Sequence, residues 1–263
     1  MAFADYNKIL LFGDSITEQS FEQARGFGFG AEFTNVYRRK LDVVARGFSG
    51  YNTSHALHIL PKVIPPPTET IFFGANDAVL SPQLQHIPLS SYTSNLRALC
   101  THPLILSHSP SLILITPPPI CEYITQESDA AKGKNYIQRL AAQTKQYRDA
   151  AIAVGKELNV PVVDLWGAFV EYAEPGYQWR EGGDKEIPGC KERERNPKMG
   201  ELLRDGLHFN PKGYKIMYDE VIKCIKTHYP ELDPEQLEFD QKFPYWEVAP
   251  KHDEEETTGQ SGI

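Results

Sequence analysis

Five short apolar runs, at 9–12, 43–46, 70–73, 112–116 and 160–165, constrain this chain more than any other feature. A strand with one wet face alternates apolar and polar residues. These runs are continuous, as in strands covered on both faces, which is the condition of a parallel sheet. Parallel neighbours need long crossovers between them, usually helices. The chain supplies helical patterns at 31–40, 53–63, 88–100, 134–158 and 211–229. In the fourth, Ile137, Leu140, Ala141, Tyr147, Ala151, Val154 and Leu158 recur near helical spacing. The fifth opens on Asn210-Pro211, a good N-cap and first-turn pair. The alternation predicts an α/β protein, a doubly wound α/β/α sandwich. Its 263 residues, 41% of them apolar, suffice for one large domain. That domain is expected over 1–230, with a charged insertion at about 171–201. Residues 231–263 read as an acidic, aromatic extension carrying Phe243, Tyr245 and Trp246, its last dozen residues disordered.

In such sheets, sites form beyond the carboxyl ends of the strands. Ser15, Gly50 and Asn76 each follow one of the first three runs. Ser15-Ile16-Thr17-Glu18 fits a helix-starting capping box. A serine there also sits where free N–H groups and the helix dipole favour an oxyanion. Gly50, in Arg46-Gly47-Phe48-Ser49-Gly50-Tyr51, reads as a turn glycine, or as one that turns its N–H toward the serine. Asn76, in Gly74-Ala75-Asn76-Asp77, fits a cap, an Asx-turn, or an amide donor to an oxyanion. Far along the chain, Asp205-Gly206-Leu207-His208 sets a carboxylate three residues before a histidine. A lone pattern of that kind is usually a turn and a surface histidine, but here Leu207 and Phe209 flank the ring. A serine hydroxyl needs a base, and an imidazole needs a partner to fix its tautomer. The two motifs supply all three groups if the fold joins the ends of the chain.

Other patterns point away from other chemistries. Cys100, Cys121, Cys190 and Cys224 are widely spaced and form no C-x-x-C pair, so free thiols in a reducing compartment are expected. His55 and His58 share a helix face without a third ligand in view, so no metal is expected. Gly26 to Gly30 does not follow the dinucleotide pattern, and G-x-S-x-G is missing from the sequence. A net charge of −8 argues against nucleic acid as a partner. No apolar stretch of about 20 residues or secretory leader is evident, which predicts a cytoplasmic protein without integral membrane association.

Serine, glycine, asparagine and histidine in this order resemble the SGNH, or GDSL-type, hydrolase superfamily, and most closely its isoamyl acetate-hydrolysing esterase branch. The resembling stretches are Phe12 to Glu18, Arg46 to Tyr51, Phe73 to Ala78, Asp205 to Phe209 and Gly213-Tyr214-Lys215-Ile216. The resemblance implies a flavodoxin-like three-layer sandwich with a five-stranded parallel sheet. It implies a serine esterase acting on short-chain, acetyl-type carboxylic esters without a cofactor. Ser15 would be the nucleophile, His208 the base and acid, and Asp205 its orienter. The backbone N–H groups of Ser15 and Gly50 and the amide of Asn76 would form the oxyanion hole. The expected partner is a small-molecule ester, and homo-oligomerisation is left open. An acyltransferase or deacetylase using the same residues is the alternative. The 171–201 segment is longer than the family's usual linker and is read as a solvated loop rather than a lid.

Overall fold

A computed structural model describes residues 6–64, 70–72, 74–239 and 245–249. Five strands, β1 (Lys8–Gly13), β2 (Asp42–Gly47), β3 (Thr70–Phe72), β4 (Leu114–Ile115) and β5 (Val162–Val163), lie in the order β2-β1-β3-β4-β5 with every pairing parallel. The register sets Gly13 beside Gly47 and Phe72. The ends of the first three strands therefore meet at one edge, where the strand order reverses around β1.

The pleat of β1 divides the core. Ile9 and Leu11 face α2 (Phe29–Val36), α8 (Leu165–Ala173) and α10 (Pro211–His228), through Phe33, Phe169 and Val221 among others. Leu10 and Phe12 face α3 (Thr53–Val63), α4 (Leu89–Cys100) and α7 (Ala141–Leu158), through Leu60, Leu96 and Val154. Alternate residues of one strand thus feed two helical layers, which explains its unbroken apolar run. The run in β2 has a different reason. This strand is at the sheet edge and its residues are only half-buried or exposed.

Several boundaries differ from the sequence reading. The last run, 160–165, straddles two elements. The strand stops at Val163, and Asp164 caps α8 by accepting from Gly167 N at 3.0 Å. Leu165, Trp166, Phe169 and Val170 form that helix's buried stripe. The fourth helical pattern begins at Ala141, not at 134. Ahead of it lies a helix missing from the sequence reading, α6 (Glu122–Ala131). The buried Glu122 joins the two, its Oε1 accepting from Ala141 N at 2.8 Å. The helix expected at 31–40 spans Phe29–Val36. The remaining helices are the short α1 (Ser15–Glu18), α5 (Pro103–Leu106) and α9 (Pro197–Leu202).

The 171–201 segment packs rather than floats. Ile187 and Cys190 are buried in the core, and Met199 and Leu202 anchor α9. Lys191 N donates to Glu122 Oε2 at 3.0 Å, and Tyr123 donates to the carbonyls of Lys191 and Arg193. In the extension, Leu237 packs on the core and Leu232 O accepts from Tyr37 Oη at 2.7 Å, while Trp246 is exposed. Phe73, the 65–67 proline run, Phe243 and the final dozen residues lie outside the described residues, as do residues 1–5. All four cysteines are unpaired and buried. Among the described residues no helix is long and apolar enough to cross a membrane.

Candidate active site

β1 delivers Ser15 to the sheet edge. Asp14, not Ser15, caps the helix that follows, its Oδ1 accepting from Ile16 N at 2.9 Å. Ser15 is thereby the first helical residue, and its hydroxyl is spared from capping. Glu18, the expected second half of a capping box, reaches instead to the next strand's loop and accepts from Ser49 N at 2.6 Å. Gly47 lets these two elements touch, since a Cβ there would lie 2.0 Å from Glu18 N. Burial pushes the Asp14 carboxyl up to about 6, against the pull of the Ile16 N–H and the charges of His208 and Arg139.

Ser15 Oγ lies 2.9 Å from His208 Nε2, and His208 Nδ1 lies 2.8 Å from Asp205 Oδ2. One carboxylate builds this arrangement twice over. Its Oδ1 accepts from Leu207 N at 3.2 Å and His208 N at 2.8 Å, folding the turn, while its Oδ2 holds the ring. That double duty is the physical reason for the three-residue spacing. Burial opposes charge on Asp205, but the hydrogen bonds and charge of His208 prevail and hold its carboxyl well below the usual range. Leu207 and Phe209, buried on either side, pin the turn to the core. The α10 helix ties it further, with Tyr214 Oη donating to Ile16 O at 2.8 Å.

Gly50 turns with a φ of +82°, a conformation that suits glycine. Its carbonyl accepts from Gln85 Nε2 at 2.8 Å. The Asn76 side chain neither caps nor closes an Asx-turn. Its Nδ2 donates to Tyr51 O at 2.8 Å, and its Oδ1 accepts from Arg139 Nη2 at 3.3 Å. Flipping the amide would set oxygen against oxygen and donor against donor, so both contacts fix one orientation. His55, weighed as a metal ligand, belongs to the capping box of α3, and its Nδ1 accepts from Asn52 N.

Ser15, Gly50, Asn76, Asp205 and His208 all line one cavity of about 320 Å³. Gln85, Gln138 and Arg139 line it too and escaped sequence reasoning. They stand in loops with no motif around them. Gln138 and Arg139 fall inside the stretch read as the fourth helix, which begins only at Ala141.

Below the site, the buried Asp77 accepts from Thr53 N at 3.0 Å and Thr53 Oγ1 at 2.5 Å, joining the second and third strand-end loops. Burial pushes its carboxyl up to about 7 from 3.8, with Thr53 opposing. The folded state therefore binds this proton more tightly than the unfolded chain. The stabilisation is complete below about pH 4 and is lost as pH rises through about 7. Asp77→Asn keeps the Oδ1 acceptor without the titration. Its thermal midpoint should gain on the wild type between pH 5 and 8, and parallel curves would show that Asp77 is ionised throughout.

Comparison with known proteins finds matches across nearly the whole chain. A model of the GDSL-like Lipase/Acylhydrolase family matches residues 11–216. The chain is 36% identical over 251 residues to the GDSL esterase/lipase At5g62930 of Arabidopsis thaliana, covering 90% of this chain and 91% of that protein. It is 36% identical over 246 residues to the isoamyl acetate-hydrolyzing esterase of Saccharomyces cerevisiae, covering 89% and 92%. Among solved structures it resembles a lipase/acylhydrolase from Enterococcus faecalis, with a TM-score of 0.57 and 25% identity over 89% of this chain and 99% of that one. The acetylxylan esterase Axe2 from Geobacillus stearothermophilus shares the fold, with a TM-score of 0.58 and 22% identity over 86% and 96% of the two chains.

Proposed function

The chain belongs to the GDSL-like lipase/acylhydrolase family and is a carboxylic ester hydrolase, and on that premise we propose that it cleaves short-chain esters, acetyl esters first, through a Ser15–His208–Asp205 acyl-enzyme mechanism. The observation that carries this reading is the unbroken relay from Ser15 Oγ to His208 Nε2 at 2.9 Å and from His208 Nδ1 to Asp205 Oδ2 at 2.8 Å. An ionised Asp205 accepts a hydrogen bond from Nδ1–H, keeps the proton on that nitrogen and leaves Nε2 as the base. Ser15 Oγ attacks the ester carbonyl as Nε2 takes its proton. The tetrahedral oxyanion is met by the N–H groups of Ser15 and Gly50 and by the second Nδ2 proton of Asn76. Collapse expels the alcohol, which takes its proton from Nε2. Water then adds to the acyl-enzyme with Nε2 again as base, releasing the acid and the serine. The acetyl preference is supported by the isoamyl acetate for which the yeast relative is named, and a cytoplasmic location by four unpaired buried thiols.

A fluorophosphonate, followed by intact-mass measurement, tests the nucleophile. One adduct on the wild type and none on Ser15→Ala supports the assignment, and an adduct on both overturns it. The amide is tested separately. Asn76→Ala should lower kcat by about a hundredfold with little change in KM, because the oxyanion exists only in the transition state. A raised KM with kcat intact would assign Asn76 to ground-state binding instead.

A further inference from the structure

Beyond the triad, the cavity wall is built from hydrogen-bonding side chains. Among the described residues lining it, Leu207 is the one aliphatic side chain. The rest of the wall includes Gln85, Ser128, Asp129, Gln138 and Arg139. Several of these are only half used by the protein. Gln85 spends its Nε2 on Gly50 O and keeps its carbonyl oxygen. Gln138 accepts from Lys134 Nζ at 3.4 Å and keeps its amide protons. Arg139 gives Nε to Ala75 O at 3.4 Å and Nη2 to Asn76 Oδ1 at 3.3 Å, and keeps Nη1. Donors and acceptors thus remain on the same wall.

From this wall we infer that the alcohol half of the substrate carries hydroxyl groups, as an acetylated polyol or sugar does, and is not a branched alkyl chain. The inference rests on the Ser15 hydrolase reading and names the substrate class of that same site. A hydroxyl is donor and acceptor at once, which is what a mixed wall completes. An alkyl group would strip water from Gln85, Gln138 and Arg139 and return no hydrogen bond, an unfavourable exchange. Lys132, Lys134 and Arg139 put cations on this wall, but Asp129 pairs with Lys134 at 3.9 Å and Asp205 lines the same cavity, so it is not a wall of donors alone as an anion would need.

The test uses the full chain and three acetyl esters, with acetate release as the readout. These are 1-O-acetylglycerol, isoamyl acetate, and an acetylated 2-hydroxy acid whose alcohol half bears a carboxylate. p-Nitrophenyl acetate, with and without Ser15→Ala, serves as the reference. 1-O-Acetylglycerol should exceed isoamyl acetate in kcat/KM by at least about tenfold, as for a site built around a substrate hydroxyl. Gln138→Leu should shrink that ratio by about tenfold, which separates the wall from the intrinsic reactivity of the two esters. Ser128→Ala serves the same purpose if Gln138→Leu does not fold. Equal or better turnover of isoamyl acetate, while p-nitrophenyl acetate cleavage still depends on Ser15, overturns the inference and leaves the hydrolase reading standing. A preference for the carboxylate-bearing ester overturns it too, in favour of the cations Lys132, Lys134 and Arg139. p-Nitrophenyl acetate turnover that survives Ser15→Ala strikes the assignment of Ser15 itself.

Discussion

Ser15→Ala should lose on the order of a millionfold in kcat, as removal of a triad nucleophile does, with an almost unmoved thermal midpoint. Asp14 caps the helix through its own carboxylate, and alanine is at ease in a first helical turn. The hydroxyl's hydrogen bond runs to His208, not to the backbone that holds the turn. Its removal opens no large cavity, so the stability change should stay within about half a kcal/mol. The measurement pairs kcat on p-nitrophenyl acetate with a thermal melt of the same preparation. A folded variant that keeps a few per cent of the activity would move the nucleophile elsewhere.

Asp205→Asn should cost about ten-thousandfold in kcat, the loss expected when the orienting carboxylate of a triad becomes an amide. The geometry dictates the mechanism of the loss. The asparagine Oδ1 can still accept from Leu207 N and His208 N, so the turn survives. Its Nδ2 then faces His208 Nδ1 and donates to it, where the carboxylate had accepted. The ring is left with its proton on Nε2, pointing at Ser15 Oγ. A nitrogen that already holds a proton cannot take the serine's. The same replacement removes a group whose ionisation the fold favours, so stability should fall as well, most visibly above pH 4. A variant with near-wild-type kcat would leave His208 needing no orienter.

Legibility in the sequence followed the range of the interaction involved. The helix at 53–63 was readable to both ends because its signals are local: Asn52 caps it, and Pro65, outside the described residues, follows closely. The Asp205-x-x-His208 turn was readable for the same reason, since one carboxylate serves both its fold and its ring. The cap of α1 was ambiguous by one residue. Asp14 and Ser15 are both good caps, and the choice was settled by a partner far along the chain, where His208 holds the serine hydroxyl. The start of α7 was misplaced because Ile137 and Leu140 continue its apolar spacing, whereas a distant carboxylate, Glu122, marks its first N–H at Ala141. Gln85 and Arg139 were invisible because nothing nearby in sequence announces what they face.

The hydrogen bond from Tyr214 to Ile16, beside that from Ser15 to His208, ties the first helix to the last across almost two hundred positions. During synthesis Ser15, Gly50 and Asn76, the proposed nucleophile and oxyanion donors, emerge early and wait. A nascent chain, or a fragment cut anywhere ahead of His208, holds Ser15 without its proposed base. Catalysis therefore reports completion: the first measurable turnover in a refolding experiment should coincide with docking of α10 and not with formation of the sheet. On that mechanism the Ser15 hydroxyl stays inert until the whole molecule has closed around it.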